Sequence, residues 1–443
     1  MKRKLFFLLL LGMLGGLATL GRATIAVRPD GDDHEDNARY EVWVIDQSNT
    51  RDEDGNGTLD SGGTLYIFEG NDLSHDQAPS AVPEVVDLGS AARDLCLAQT
   101  GTAPVRPHMF FFNRAGSHTV IAFVASGHVL FLDTMSKAPV QCMDVGVQAH
   151  AAVPSNDQTF IVVANQNGRL LQRINTNYQT NTFTLDNAAT INFATCTTPS
   201  GAPCQDAILR PDARPVCPVI DNCDRFAFVT LAGGGLFVVD PNTTPMSIVA
   251  EYDKSTVHPD GCGGVQARSR MYINSGGATE GDLYSFPLSG YRSTNPPNAP
   301  MPTLVYTHDG TNSDSHGAVA TLHESYVWVA ERFGNNITVV DTTSDAVINQ
   351  FSLVGDVSND PAPDLLDISP DGKYIFMALR GPNPLTGNNP TFNNAVGSTP
   401  GLGVIRVKQG GKTGKFVARI PITHMVAGVE RADPHGVRVL IKQ

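Results

Sequence analysis

Four histidines, one cysteine and one aspartate recur at equivalent places in a repeated sequence pattern. When the apolar segments that follow them are superposed, His150-Ala151-Ala152-Val153, Cys262-Gly263-Gly264-Val265 and His316-Gly317-Ala318-Val319 fall in register. Asp364 stands as far before Asp371 as His150 does before Asp157, His435-Gly436-Val437 matches by local pattern, and His108-Met109-Phe110-Phe111 fits with a slightly longer turn. Val216 takes the seventh place. Imidazole, thiolate and carboxylate together suit Zn or Cu and make a poor set for Ca or Mg. An ion with bonds of about 2 Å cannot touch all seven places. Adjacent positions therefore matter, with His435, His108 and His150 as one cluster and His316 with Asp364 as the next. Such residues also occur simply as hydrogen-bonding partners of a neighbouring strand or of water, and the residues alone leave both readings open.

A second constellation is Asp52-Glu53-Asp54-Gly55-Asn56-Gly57-Thr58-Leu59-Asp60. Asp52, Asp54, Asn56 and Asp60 alternate as in a calcium-binding loop with Gly57 at the sharp turn, but Gly63 stands where a bidentate Glu belongs. A structural Ca site and a plain acidic turn both fit. Serine-nucleophile, phosphate-loop and paired-carboxylate motifs are absent, and Gly233-Gly234-Gly235 suits a turn between strands better than a nucleotide cradle.

These side chains need a scaffold, and the pattern between them describes one. Phe160-Ile161-Val162-Val163-Ala164, a turn at Asn167-Gly168 and Leu170-Leu171 form one copy; Tyr326-Val327-Trp328-Val329-Ala330, Asn335-Asn336 and Ile337-Thr338-Val339-Val340-Asp341 form another. Four short strands per copy, with 42 glycines and 29 prolines across 443 residues, point to an all-β repeat architecture. Blades beginning near His108, His150, Val216, Cys262, His316 and Asp364 make six. Tyr40–Ile45 and Thr64–Phe68 lack a preceding strand while His435–Leu440 lacks following ones, so these termini share the seventh blade of a closed β-propeller. Each inner strand begins on one face, which puts the six donors around the mouth of the axial channel. The loops Asn187–Asp212 and Pro382–Gly401 are long enough to cover it.

Met1-Lys2-Arg3-Lys4 followed by the apolar stretch Leu5–Leu20 has the layout of a cleavable export signal over residues 1–26. An acidic arm over 27–37 and the propeller over 38–443 follow. Net charge is −13, and loss of Lys2, Arg3, Lys4 and Arg22 makes it more acidic, which excludes nucleic acid and anionic membrane as partners. No membrane insertion is expected once the signal is removed. Seven cysteines in an exported chain imply disulfides with one left over. Short spacing pairs Cys196 with Cys204 and Cys217 with Cys223, Cys96 and Cys142 are the residual pair, and Cys262 stays free.

Ser369-Pro370-Asp371-Gly372-Lys373-Tyr374-Ile375 and Ile337-Thr338-Val339-Val340-Asp341-Thr342-Thr343 resemble the blade motifs of YVTN-type propellers related to quinoprotein amine dehydrogenase. Export signal, fold and histidine-rich mouth also resemble the periplasmic zinc-chaperone propellers. The resemblance implies a periplasmic or secreted protein that binds Zn or Cu for delivery, storage or sensing, with a periplasmic protein as a partner. The competing readings are a metal-dependent oxidoreductase or lactonase-like hydrolase using the same ring, and a non-catalytic protein-binding propeller.

Overall fold

A computed structural model describes residues 39–48, 62–74, 78–276, 280–291, 299–309, 313–386 and 395–442. The export signal, the acidic arm and the calcium-loop positions Asp52, Asp54, Asn56 and Asp60 lie outside them. The chain forms seven four-stranded antiparallel sheets, the blades of a β-propeller. Blade 1 is the shared one: its inner strand is Pro434–Ile441, and Tyr40–Asp46, Thr64–Glu69 and Glu84–Asp87 follow outward. Tyr40 pairs with Ile441 and Val44 with Val437, so the chain termini close the ring. Blades 2 to 7 begin at inner strands Pro107–Phe112, Ala149–Pro154, Pro215–Ile220, Gly264–Ala267, Ser315–Ala320 and Pro363–Ile368. Among the described residues one α-helix, Ala91–Thr100, precedes blade 2, and none is long and apolar enough to cross a membrane.

Blade faces are apolar and stack on one another, which is why second strands such as Phe160–Asn165 and Val327–Glu331 are buried residue after residue. Trp43 and Trp328 are fully enclosed, and each indole N–H finds an acceptor, in Glu41 Oε2 at 2.8 Å and the Gly411 carbonyl at 2.7 Å.

One turn recurs between the first and second strands of five blades. Asn113, Ser155, Asp221, Thr321 and Ser369 each receive the N–H of the residue three on and give their own N–H to the carbonyl five on. The third-on residue has positive φ: Gly116 67°, Gln158 64°, Asp224 56°, Glu324 53° and Gly372 70°. His108 therefore needs no longer turn than the others. In all five blades the donor-ring position lies five residues before the turn, at His108, His150, Val216, His316 and Asp364. At roughly 3.3 Å per residue these positions stand at one height, on the order of 16 Å above the turns.

Three disulfides are present: Cys96–Cys142, Cys196–Cys204 and Cys217–Cys262. The third corrects the pairing read from spacing. Cys223, expected opposite Cys217, is the free and exposed cysteine, and Cys262 is bridged. Cys217 lies at the upper end of an extended strand and Cys223 in the turn below it, about 20 Å of chain away, whereas a disulfide needs Cα atoms about 5–6 Å apart. Cys262 enters the ring from blade 5 with its Cα 5.1 Å from that of Cys217.

Candidate metal centre on the propeller axis

The same irregularity re-aims the ring residues in blade after blade. The inner strand slips register against the second strand between Pro107 and Phe110, Ala149 and Ala151, Pro215 and Pro218, Ser315 and Ala318, and Pro363 and Leu366. Opposite Pro434–Gly436 the slip falls between Ile45 and Asp46. An extra residue on one strand of a pair bends it and turns its side chain out of the pleat. These bulges sit at the ring positions, where they direct the side chains to the axis.

The result is a compact cluster. The rings of His108 and His435 have centroids 3.8 Å apart, those of His108 and His150 4.5 Å, and those of His316 and His435 5.6 Å. Asp364 Oδ1 lies 3.2 Å from His316 Nε2 and 3.7 Å from His435 Nε2. One donor atom from each of His316, Asp364 and His435 falls within 4.8 Å of the others, and His150, Cys217 and Cys262 form a second such group. The first trio differs from the His435–His108–His150 cluster ranked first by adjacency, because the carboxylate of Asp364 reaches between its two neighbours.

Hydrogen bonding fixes what these atoms offer. His435 Nδ1 lies 3.1 Å from the carbonyl oxygen of His108, which only accepts, so Nδ1 carries the proton and Nε2 presents a bare lone pair. That Nε2, His108 Nε2, both ring nitrogens of His316 and Asp364 Oδ1 are all buried without a hydrogen-bond partner. Five unsatisfied polar atoms at one spot are a large exception to the rule that buried polar groups are paired.

Charge around the cluster is arranged in pairs. Asp364 Oδ2 accepts from Arg380 Nη1 at 2.6 Å and Arg332 Nη1 at 3.4 Å. Arg332 is also held by Asp314 at 2.5 Å and Arg380 by Asp433 at 2.6 Å. Burial, reinforced by Glu331, pushes the Asp314 carboxyl well above the usual range against the pull of Arg332. Burial works against charge on Asp364, but neighbouring His435, His316, Arg332 and Arg380 outweigh it and hold the carboxyl well below the usual range. Burial, reinforced by Arg332, depresses His316, and burial depresses His108 likewise. Burial brings His435 down to about 3 against the pull of Asp364, and brings His150 down to about 4 against a hydrogen bond to the Val216 backbone. Burial thus favours the neutral form of all four imidazoles.

The cluster does not lie at an open mouth, as the ring position alone suggests. His435 is fully buried, and His108 is 2% and His316 5% exposed. Gln47 Oε1 and Thr386 Oγ1 lie 3.3 Å and 3.4 Å from His108 Nδ1. Gln47 Nε2 donates to Thr386 Oγ1 at 2.9 Å, Leu385 N–H to Asp433 Oδ2 at 2.7 Å, Arg380 Nη2 to the Thr386 carbonyl at 2.7 Å and Arg106 Nη1 to the Leu385 carbonyl at 3.2 Å. The described start of the Pro382–Gly401 loop is therefore the cover. Asn187–Asp212 lies over blade 4 instead, where its end bonds to Gly233 and Lys254.

Cys262 belongs to the ring as expected, but as half of a disulfide, and a bridged sulfur is no thiolate ligand. Arg332, Arg380, Asp314 and Asp433 were not singled out from sequence. A signal for them existed: Asp-x-His-Gly occurs at both 314–317 and 433–436, and Arg332 and Arg380 each stand six residues after the aromatic that opens the second strand.

No family model matches the chain, and no curated protein does. Solved structures share its fold across nearly its whole length. A putative 6-phosphogluconolactonase from Bacteroides uniformis superposes with a TM-score of 0.55 at 12% identity, over 91% of this chain and 99% of that one. The periplasmic gluconolactonase of Pseudomonas aeruginosa gives 0.55 at 11% identity, over 91% and 99%. A dihydro-heme d1 dehydrogenase gives 0.51 at 11% identity, over 94% and 78%.

Proposed function

We propose that this propeller binds a single transition-metal ion, Zn or Cu, on its axis through His316, Asp364 and His435, with His108 at the same spot, and that it works in an oxidising, extracytoplasmic compartment. The observation that carries the reading is the convergence of five buried, unpartnered polar atoms, the carboxylate Oδ1 of Asp364 among them. A cation there would take one lone pair from each imidazole and one from Asp364, leaving the second His316 nitrogen to carry its proton. Two imidazoles and a carboxylate are a common ligand set for these metals, and the His435 Nδ1–H bonded to a backbone carbonyl is the outer support such ligands use.

The cover over the site favours retention over rapid exchange, so storage or sensing suits the geometry better than delivery. The three disulfides support the compartment. Kinship with YVTN propellers or zinc-chaperone propellers rests on the sequence motifs and this donor set together. The lactonase-like reading has only the shared fold behind it.

The decisive measurement is competition between the protein and a chromophoric chelator for Zn and for Cu(II). The wild-type protein should take up one equivalent and melt at a higher temperature with metal bound. His316→Ala/His435→Ala should bind at least 100-fold more weakly. Equal affinity in the two proteins means that the cluster is a structural feature.

A further inference from the structure

One residue deeper along the axis lies a different chemistry. Cys217 follows the ring position of blade 4 and Met109 that of blade 2, and their side chains meet the Cys262 sulfur from blade 5. Met109 Sδ is 3.7 Å from Cys217 Sγ and 4.0 Å from Cys262 Sγ. His150 Nδ1 is 3.6 Å and 3.9 Å from the same two sulfurs. A thioether and a neutral imidazole thus both touch both halves of one disulfide. Around them the wall is apolar, with Ala151, Val216 and Leu365 in the same buried cluster.

We propose that Cys217, Cys262, Met109 and His150 form a second, sulfur-rich metal site, closed while the two cysteines are bridged and opened to Cu(I) when a low-molecular-weight thiol reduces them. Two thiolates, a thioether and an imidazole are the soft set that selects Cu(I) over harder ions. Two thiolates and one Cu(I) carry a single net negative charge, and the other two donors are neutral. The pair is reachable: a cavity of about 120 Å³ is lined by Met109, Cys217 and Cys262 and continues past the half-buried Phe111, Val219 and Arg438.

The chemistry balances as follows. A thiolate of the reductant attacks one sulfur of the bridge, the S–S bond breaks, and its electron pair leaves on the other cysteine. A second thiol resolves the mixed disulfide, so that two thiols become one low-molecular-weight disulfide and the protein gains two thiols. Binding Cu(I) then releases their two protons. This site shares no ligand with the His316–Asp364–His435 trio and does not depend on that trio holding metal.

The test uses the full chain carrying Cys223→Ser, so that the exposed thiol is not counted. Oxidised protein and protein reduced with dithiothreitol, then freed of it without air, are titrated with Cu(I) presented as its bicinchoninate complex. The reduced protein should take one equivalent more than the same protein with Cys217→Ser/Cys262→Ser, with thiolate-to-copper charge-transfer absorption in the ultraviolet. Met109→Leu and His150→Ala, which keep both cysteines, should each weaken the competition by about tenfold or more, and they decide the matter if the double serine variant fails to fold. Uptake that is equal with and without the two cysteines, or unchanged by both single substitutions, overturns the proposal. His316→Ala/His435→Ala separates the two sites: it should retain the Cu(I) equivalent, and loss of that equivalent would mean one shared site and sink the proposal. Failure to bind Zn with Cu(I) uptake intact sinks only the axial reading above.

Discussion

Blades 6, 7 and 1 and blades 4 and 5 build the same part of the fold in opposite ways. In the first group the ring position carries His316, Asp364 and His435, and Arg332 and Arg380 reach in from the ends of the second strands. In blade 4 the ring position is Val216, and Ala232 stands where Arg332 and Arg380 stand, six residues after the aromatic that opens the second strand. The two inner strands there are joined by sulfur rather than by charge. Blade 4 carries the same inner-strand bulge as blades 6 and 7, so its different donor character follows from the side chains at the strand ends. One half gathers imidazoles and a carboxylate in a charged shell, and the other gathers sulfur in an apolar one.

The largest expected effect would break both halves together. Deleting residues 434–443 removes the inner strand of blade 1 and with it His435, and leaves the Tyr40–Asp46 strand as an unpaired edge. Cooperative thermal unfolding should disappear; a truncated chain with the full-length transition would mean that the ring does not close as described. Next in size is Arg380→Leu. It strips a guanidinium from two fully buried carboxylates, Asp364 and Asp433, and breaking such a pair costs about 3–5 kcal/mol. Denaturant unfolding measures this, and a cost no larger than that of a surface substitution would show that charge is not what distinguishes the two halves.

The smallest effect sharpens the picture of the charged half. Burial raises Glu331 from 4.5 to about 7 and Asp46 from 3.8 to about 6. Between the unfolded and folded values the native state holds protons that the unfolded chain has released. Their contribution is therefore complete at low pH and lost as pH rises through about 6 to 7. Depressed histidines such as His150, at about 4, act in the opposite direction below the ordinary value of 6.5. The unfolded chain's histidines go on losing protons to about pH 7.5, so between pH 6.5 and 8 the acids contribute a fall in melting temperature that is superimposed on the histidines' rise. Glu331→Gln should flatten that fall, and an unaltered slope would show that Glu331 is ionised throughout.

The periodicity of the sequence reveals the blades, because strand length and turn spacing are local properties. The common height of the ring positions was legible for the same reason, with five residues to the turn in each of five blades. What escaped was contact between blades. Cys217 and Cys223 are near in sequence, but an extended strand carries neighbours apart, and the true partner Cys262 comes from the next blade. Of the cover over the ring, the loop that bears Thr386 was legible from its length, but its partners Gln47 and Asp433 were not, since they come from distant segments. Arg332 and Arg380 were readable only by extending the superposition to the second strands.

Closure of the ring by the last strand also sets an order in time. A chain made from its amino end lays down Tyr40–Asp46 first, and the partner of that strand arrives some 400 residues later, so loop closure is nearly as long as the molecule allows. His316 and Asp364 are in place before then, but His435 and the carboxylate that anchors Arg380, Asp433, come with the final segment. The trio on the axis is thus complete only once the strand that seals the ring is in place. A cation held by this trio and by His108, which belongs to blade 2 on the other side of the seam, would act as its clasp and couple completion of the fold to the availability of metal.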